Sequence, residues 1–376
     1  MKEVKKNKKG VALKKLNNTQ HKFPYEWTLK DANFTKDKGT VFSCFACGGG
    51  STMGYKLAGF DVLGCNEIDP KMIEAYKANH NPKYAYLEPI QTFKLRKDLP
   101  KELYNLDILD GSPPCSSFSM AGNREKDWGK EKKFREGQTE QVLDNLFFDF
   151  IDLAKELQPK VVVAENVKGL LLGNAKEYVR NIYRAFDEAG YYCQHWLLDA
   201  SKMGVPQRRE RVFFICLRKD ISDPFLYQKD IFTINPELEL KFNEKPILFN
   251  EVYEPGNYEN KLSDFYKELW NHREIKDLDF SDINGRYRNK PNTGFGTQFV
   301  KLGNVCGTLT AKKDCKCLYE QDRYLSNSEK IKIGSYPKDY VFDGDIGYLI
   351  GMSVPPVMTA QIATKIYEQW LSKLMT

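Results

Sequence analysis

Short apolar runs alternate with amphipathic stretches from Gly39 to Asp220. This alternation is typical of repeated βαβ units, which build a parallel sheet with helices packed on its faces. We therefore predict an α/β domain over these residues. The chain has 376 residues, which exceeds the size at which one hydrophobic core usually stops growing, so we expect a second domain as well.

The first predicted βα unit contains a run of three glycines. Residues 41–46 are predicted as a strand, Gly48 to Gly50 as a tight turn and residues 51–58 as a helix, and the next strand, at 61–66, ends at Glu67. Glycines let the backbone approach a ligand closely, and a carboxylate that ends the next strand can accept hydrogen bonds from ribose hydroxyls. The unit therefore indicates a nucleoside cofactor, with an ordinary strand-to-helix turn as the alternative.

A cysteine stands where another strand ends. Residues 107–110 form a short apolar run, which Gly111 and Pro113-Pro114 stop just before Cys115. The carboxyl ends of strands are where open α/β sheets bind ligands, so the thiol is a candidate nucleophile. A small buried cysteine in a loop is the alternative. The long polar segment at 120–138 is predicted to be a lid or a binding loop.

Charged residues stand at two further strand boundaries. The apolar strand at 160–164 ends in Glu165, on the same side of the sheet as the cysteine, where a carboxylate could act as a general acid or cap a helix. Arg209 and Arg211 alternate just before the strand at 212–217. Extended, they would point to one face and could meet an anion or a substrate oxygen, unless they form a solvated charged run.

Composition indicates a soluble protein. Hydrophobic residues make up 41% and charged residues 29%, no uninterrupted apolar run is long enough to cross a bilayer, and we expect the protein in the cytoplasm. The nine cysteines, an odd number, favour reduced thiols over a disulfide framework. Cys44 with Cys47, and Cys315 with Cys317, lack partners at the usual zinc spacings, so no metal is predicted.

The first 38 residues are predicted to form a basic arm. Seven lysines and one glutamate lie within residues 1–16, with too few large apolar residues to fold alone. Such a segment contacts phosphates without sequence preference, or is simply a solvated tail.

Taken in chain order, these motifs resemble those of DNA cytosine-5 methyltransferases. The resemblance is carried by the following runs: residues 43–60, Asn66-Glu67-Ile68-Asp69-Pro70, residues 111–119, Glu165-Asn166-Val167, Gln207-x-Arg209-x-Arg211, residues 329–337 and residues 351–356. It covers roughly residues 39–218 and 305–372. It implies a Rossmann-like S-adenosylmethionine-dependent methyltransferase domain at 39–219, a smaller, irregular target recognition domain at 220–304, and a return to the catalytic domain at 305–376.

The resemblance also implies a mechanism. Cys115 would add to carbon 6 of a cytosine flipped out of duplex DNA, which makes carbon 5 nucleophilic. Glu165 would hold ring nitrogen 3 and the exocyclic amine, and Arg209 would brace the base with Arg211 in support. A methyl group from S-adenosylmethionine would then give 5-methylcytosine.

Binding residues are carried over from the same motifs. The expected cofactor contacts are Phe45, Ala46, Cys47, Gly48, Gly49, Gly50, Glu67, Ile68, Ile90, Pro113, Leu146, Ser353 and Val354. The expected DNA contacts are Pro114, Ser117, Ser119, Asn166, Gln207 and Thr308, with Arg286 and Arg288 in the recognition segment. Three positions depart from the family pattern: Cys47 replaces a glycine, Pro89 replaces an aspartate expected at the adenine, and Met352 replaces an asparagine.

Two alternatives remain open at this point. One is a tRNA cytosine-5 methyltransferase of the Dnmt2-like type, and the other is a DNA-binding regulator that lost activity through the three departures. The preferred interpretation is a site-specific enzyme that acts as a monomer on double-stranded DNA. It is either half of a restriction-modification pair, with a separate cognate endonuclease, or solitary.

Overall fold

A seven-stranded sheet forms the centre of the protein. This computed structural model describes residues 21–114, 131–132, 141–142, 145–172, 175–228, 234–256, 260–291 and 296–374. The strands of the sheet are β1 (Thr40–Cys44), β2 (Asp61–Glu67), β3 (Tyr84–Leu87), β4 (Ile108–Gly111), β5 (Val161–Val167), β6 (Tyr191–Asp199) and β7 (Glu210–Arg218). Their order is β3-β2-β1-β4-β5-β7-β6.

The first five strands of the sheet are parallel, as predicted, but β7 is not. It runs antiparallel to both β5 and β6. The prediction of a fully parallel sheet is therefore wrong at this edge. No long helix separates β6 from β7, and a parallel pair needs a crossover connection of a dozen or more residues.

Helices cover both faces of the sheet. They are α1 (Gly50–Ala58), α2 (Pro70–His80), α3 (Ile90–Phe93), α4 (Leu146–Leu157), α5 (Ala175–Glu188), α6 (Asp264–Asn271), α7 (Phe280–Arg288), α8 (Asn327–Ile333), α9 (Ile346–Met352), α10 (Pro356–Ile366) and α11 (Ser372–Leu374), with a π-helical turn at Tyr367–Leu371. One core lies between the sheet, α1 and α10, and the other lies between the sheet, α4 and α5. All residues of α1 are buried.

The second helix shows why local signals were sufficient for much of this framework. Asp69 caps α2 by accepting hydrogen bonds from the backbone of Lys71 and Met72, and proline occupies the first helical turn. The βαβ alternation of the sequence predicts a helix at 70–79, and the observed helix Pro70–His80 is one residue longer.

Short strands and turns complete the chain. The two-stranded pairs are Glu131–Lys132 with Gln141–Val142, Gln207–Arg208 with Cys306–Gly307, Leu226–Gln228 with Ile234–Pro236, and Gln298–Val300 with Lys316–Leu318. The 3-10 turns are Lys101–Asn105, Lys168–Leu171, Ala200–Lys202, Lys219–Ile221, Asp223–Phe225 and Phe249–Glu251.

Residues 21–38 pack on the body of the protein, which corrects the prediction of an arm over residues 1–38. Trp27 is 1% exposed, and its indole N–H donates to the carbonyl of Ser335 at 3.1 Å. The backbone N–H of Leu29 donates to Asp339 at 2.6 Å. Residues 1–20, with most of the lysine run, lie outside the described residues.

A small lobe has a separate hydrophobic cluster. It contains Leu262, Leu269 of α6, Phe280 and Ile283 of α7, and Cys317 of the neighbouring strand Lys316–Leu318. Apolar residues between 238 and 252 instead belong to the core that α1 and α10 share. The lobe's own core thus begins later and ends later than the predicted 220–304 segment.

The C-terminal segment Ile346–Leu374 is apolar enough in length and composition to cross a membrane, with a mean hydropathy of 1.3. Of its most apolar 18-residue window, 78% is buried inside the protein, as expected of a core helix. Its helix α10 packs directly on α1, where a Cβ on Gly54 would lie 2.3 Å from the carbonyl oxygen of Pro356.

Candidate active site

The strand ends of β4 and β5 are joined by a side chain. Asn166 is 4% exposed, and its side-chain amide donates to the carbonyl oxygen of Pro113 at 3.1 Å. Pro113 is buried and Pro114 is half-buried. The segment that leads to Cys115 is therefore fixed to β5, although Cys115, Ser117 and Ser119 themselves lie outside the described residues.

Glu165 and Arg211 form an ion pair beside this segment. Arg211 Nε lies 2.9 Å from Glu165 Oε1, and the side chains are 16% and 12% exposed. Arg211 pairs with Val167 and Phe213 pairs with Glu165 across the antiparallel strands, so the two charged side chains are diagonal neighbours on one face. A carboxylate and a guanidinium are thus presented together near the end of β5.

Arg209 is placed differently from Arg211. It is 2% exposed, and its two terminal nitrogens donate to the carbonyls of Leu309 and Gly351, each at 2.9 Å. Burial, with the nearby charge of Arg211, lowers its pKa to about 9. Its Nε is buried without a hydrogen-bond partner among the described residues. The side chain therefore joins the entry of β7 to two later segments.

Gln207 also joins the entry of β7 to later segments of the chain. Its side chain is fully buried, accepts from the backbone N–H of Leu309 at 3.0 Å and donates to the carbonyl of Ile333 at 3.4 Å. Between these two inward residues, Arg208 is exposed, and its carbonyl accepts from the hydroxyl of Thr308 at 2.7 Å.

The glycine turn between β1 and α1 is shaped by left-handed backbone. Phe45, Cys47 and Gly49 have φ values of 51°, 50° and 92°. Only glycine adopts such angles at little cost, so the two non-glycine residues store strain that the surroundings must offset. A Cβ on Gly49 would lie 2.1 Å from His80 Nε2, which explains why glycine is required there. His80 in turn hydrogen-bonds to the hydroxyl of Tyr340 at 2.9 Å.

Glu67 holds this turn from the end of β2. One of its oxygens accepts from the backbone of Cys47 at 2.6 Å, and the other accepts from Ile68 and Asp69 at 2.8 and 2.9 Å. Burial raises the pKa of this carboxyl above its usual value, against the lowering effect of the three N–H donors. The carboxylate is fixed in place and still has acceptor capacity for a hydroxyl donor.

Cys47 is a packing residue in this turn. Its sulfur lies 3.5 Å from that of Met72, and burial next to Glu67 raises the pKa of the thiol to about 12. The raised pKa favours the neutral thiol near pH 7.

The C-terminal motif, with Ser353 and Val354, meets the glycine turn. A Cβ on Gly50 would lie 2.5 Å from the carbonyl of Val354 and 2.8 Å from Cβ of Ser353. Gly48 packs against Leu349, to whose carbonyl Ser353 donates at 2.7 Å.

The remaining predicted cofactor residues lie mainly in the core. Ala46, Ile90 and Leu146 are at most 4% exposed, whereas Phe45 is half-buried and meets Phe150 edge to face with ring centroids 6.3 Å apart. Pro89 precedes α3 and brings no carboxylate.

Comparison with known proteins decides the family. Residues 39–368 match the family described as C-5 cytosine-specific DNA methylase. The chain belongs to this family.

Individual relatives show how far the likeness of this chain extends. The type II methyltransferase M.FnuDI of Fusobacterium nucleatum is 36% identical over 182 residues, which is 48% of this chain and 48% of the relative. The chain thus spans about half the length of the first curated relatives it matches. The type II methyltransferase M1.HphI of Haemophilus parahaemolyticus is 27% identical over 345 residues, covering 88% of this chain and 87% of the relative.

The methylase also shares its fold with solved structures. A prophage-encoded DNA modification methyltransferase of E. coli superimposes with a TM-score of 0.60 at 19% identity, over 88% of this chain and 99% of that chain. At this level of identity the likeness concerns the fold alone.

The two arginines predicted to contact DNA are engaged within the methylase's small lobe. Arg286 pairs with Asp277 at 2.6 Å and with Glu274 at 2.9 Å, and Arg288 pairs with Glu268 at 2.7 Å. The sequence showed their charge but not these acidic neighbours. Both side chains stabilise the lobe, and DNA contact would have to compete with the ion pairs.

The residues around the glycine turn fit a cofactor with a nucleoside. Glu67 supplies a fixed carboxylate for hydroxyl donors, and Phe45 supplies a half-buried aromatic ring. Within the described ranges, no group of three or more His, Cys, Asp or Glu side chains is arranged to hold a metal ion.

Sequence reasoning missed one side chain in this region. Asp110 is 4% exposed and accepts hydrogen bonds from the hydroxyls of Ser43, Ser51 and Tyr55. The only signal in the sequence was a carboxylate at the end of an otherwise apolar strand.

Proposed function

We propose that this methylase is a site-specific DNA cytosine-5 methyltransferase that acts through a covalent Cys115 adduct. The observation that supports it most is the Glu165–Arg211 ion pair beside the Asn166–Pro113 hydrogen bond. Together they join a carboxylate, a cation and the chain segment that leads to the thiol. These are the three groups that nucleophilic addition to a pyrimidine requires.

In this mechanism the Cys115 thiolate forms a bond to carbon 6 of cytosine. Glu165 hydrogen-bonds to ring nitrogen 3 and the exocyclic amine, so that negative charge does not accumulate on the ring. Arg211 holds Glu165 in place and presents the remainder of its guanidinium to the base oxygen. Once carbon 5 has gained a methyl group, loss of its proton and elimination of the Cys115 thiolate restore the aromatic ring.

We assign the two arginines in the opposite order from the sequence analysis. Arg211, which pairs with Glu165, is the residue proposed to meet the base. Arg209 uses its terminal nitrogens on the carbonyls of Leu309 and Gly351, which supports a role in holding three chain segments together.

S-adenosylmethionine is the proposed cofactor, and when bound it supplies an electrophilic methyl group. Glu67 would accept hydrogen bonds from its ribose, and the turn from Phe45 to Gly50 would enclose its methionine part. Pro89 cannot supply a carboxylate to the adenine, so recognition of the base depends on shape and on backbone groups.

Duplex DNA is the proposed substrate, with the target base flipped out of the stack. Arg208, Lys312 and Lys313 are exposed near the Thr308 segment and would contact phosphates. The small lobe would supply base recognition. We further expect a cytoplasmic monomer, with a cognate endonuclease, if there is one, as a separate protein.

Transfer of labelled methyl groups from S-adenosylmethionine to mixed duplex DNA and to tRNA tests this function. Cys115→Ala is the test variant, and Cys315→Ala, at a half-buried cysteine outside the site, is its matched control. We expect labelling of DNA that Cys115→Ala abolishes and Cys315→Ala leaves unchanged. Labelling of tRNA alone would replace the DNA substrate, and labelling of neither by folded protein would favour an inactive DNA-binding protein.

A further inference from the structure

Asp110 is a buried carboxylate at the carboxyl end of β4 that the proposed chemistry does not use. One oxygen accepts from the hydroxyl of Ser43 at 2.7 Å and from that of Ser51 at 2.8 Å. The other accepts from the hydroxyl of Tyr55 at 3.2 Å. All four side chains are at most 8% exposed. We call these four residues the Asp110 cluster.

The cluster joins β1, α1 and β4. Ser43 lies directly opposite Asp110 in the parallel pairing of β1 with β4. Ser51 and Tyr55 lie on successive turns of α1, the helix that begins at the glycine turn. Asp110 itself is five residues before Cys115. Asp110 lies on the strand that leads to Cys115. Its carboxylate is hydrogen-bonded to residues on both sides of the glycine turn.

Simple packing does not require such a group. A buried carboxylate costs free energy unless each oxygen is hydrogen-bonded, and apolar side chains of similar volume stabilise a core at least as well. Three hydroxyl donors on one ionised carboxylate instead fix the relative position of the groups that carry them, because hydrogen bonds are directional and the two serine bonds, at 2.7 and 2.8 Å, are short. The Asp110 carboxylate therefore resists changes in the distance between α1 and the carboxyl end of β4.

We propose that Asp110 is a positioning residue. It holds α1 and the glycine turn at a fixed distance from the strand end that leads to Cys115. The inference rests on the proposed function and extends it, since it names what sets the separation between methyl donor and nucleophile. Asp110 touches neither substrate nor cofactor in this role. Its effect is transmitted through Ser51 and Tyr55.

Asp110→Asn tests the proposal, with Asp107→Asn as the matched control. Asp107 lies just before the other end of the same strand, is 6% exposed, and accepts from the backbone of Thr40 and from Lys160, each at 2.7 Å. Affinity for S-adenosylmethionine by calorimetry, the single-turnover rate of methyl transfer to duplex DNA, and thermal unfolding are measured for both variants and the wild type.

We expect Asp110→Asn to bind S-adenosylmethionine with nearly unchanged affinity and to transfer methyl groups about tenfold to 100-fold more slowly, as for a misplacement of reacting groups. Asp107→Asn should lower the unfolding temperature without changing the rate for folded protein. An Asp110→Asn protein that keeps the wild-type rate, or loses rate and affinity in equal proportion, overturns the proposal.

Ser51 provides a second pair of variants in case Asp110→Asn does not fold. Ser51→Ala removes one donor, and Ser51→Thr retains it. Slow transfer in Ser51→Ala, with recovery in Ser51→Thr, supports positioning through the hydroxyl, and equal rates in the two oppose it. Wild-type protein that binds the cofactor but transfers no methyl group overturns the proposed function and this inference with it.

Discussion

Arg211 Nε lies 2.9 Å from Glu165 Oε1 across two antiparallel strands, while Arg209, two residues earlier, bonds only to backbone carbonyls. Neighbouring arginines in one motif thus serve different purposes. One is held by a carboxylate at the proposed catalytic centre, and the other fixes the segments around it.

Substituting glutamine for each arginine in turn should distinguish the catalytic role of Arg211 from the structural role of Arg209. Arg211→Gln is expected to lower kcat on the order of 100-fold to 1000-fold, the size seen when a donor to developing charge is removed. Arg209→Gln should mainly lower the free energy of unfolding, by roughly 1–3 kcal/mol, because two buried carbonyls lose their partner. Steady-state kinetics and denaturant titrations measure both. A fully stable Arg209→Gln protein without activity would restore the order expected from sequence.

The exposed Arg208 should control how DNA affinity depends on salt. Each phosphate contact contributes about 0.9 to the slope of log K against log salt concentration. Arg208→Gln is therefore expected to reduce the slope by about one, equally for specific and non-specific duplexes. Lys97→Gln, at an exposed lysine paired with Glu156, is the control and should leave the slope unchanged. An unaltered slope in Arg208→Gln would remove this residue from the DNA interface.

Asp110 should make stability depend on pH in a definite window. Burial raises its pKa from 3.8 to about 6, and the nearby Glu165 adds to this, while Ser43, Ser51 and Tyr55 oppose it. The folded state therefore binds the proton more tightly than the unfolded state. This contribution to stability is greatest near pH 4 and is lost as pH rises through 6, by on the order of 3 kcal/mol.

Asp110→Asn removes that titration. Its free energy of unfolding, followed by denaturant titration from pH 4 to 7, should fall less with rising pH than that of the wild type. Parallel curves for the two proteins would contradict the assignment.

Loss of the buried Arg323–Glu329 ion pair should destabilise the protein more than loss of an exposed ion pair. The side chains are 2% and 0% exposed and 2.8 Å apart, and Glu329 also accepts from the backbone of Glu254 and Ser326. Glu329→Gln leaves the buried guanidinium of Arg323 without a counter-charge. We therefore expect the free energy of unfolding to fall by about 3–5 kcal/mol.

An exposed pair offers the comparison. Glu177→Gln breaks the Arg180–Glu177 pair on the surface of α5. It should lower the free energy of unfolding by less than about 0.5 kcal/mol. Similar losses for the two variants would show that burial does not control the energy of the Arg323–Glu329 pair.

The sequence predicted the framework well wherever the signal was local. The same βαβ alternation predicts a strand at 84–87, and β3 spans Tyr84–Leu87. Asp69 and Pro70 mark the start of α2. Such caps and periodicities act within a few residues, so the chain displays them in order.

Side-chain partners distant in sequence could not be predicted in this way. The carbonyls that hold Arg209 are 100 and 142 residues away, and Trp27 donates to a carbonyl 308 residues later. The charge of Arg286 suggested DNA, but Asp277 and Glu274 take its donors through the turn between α6 and α7. Only the folded chain brings these groups together.

The cover that α10 places over α1 has a consequence for synthesis on the ribosome. The cofactor helix is made early, yet the segment that buries it, Pro356–Ile366, is among the last to be translated. Until then a nascent chain presents an apolar helix and an incomplete cofactor turn, a state prone to aggregation. A chain truncated before this point should therefore lack the proposed methyltransferase activity.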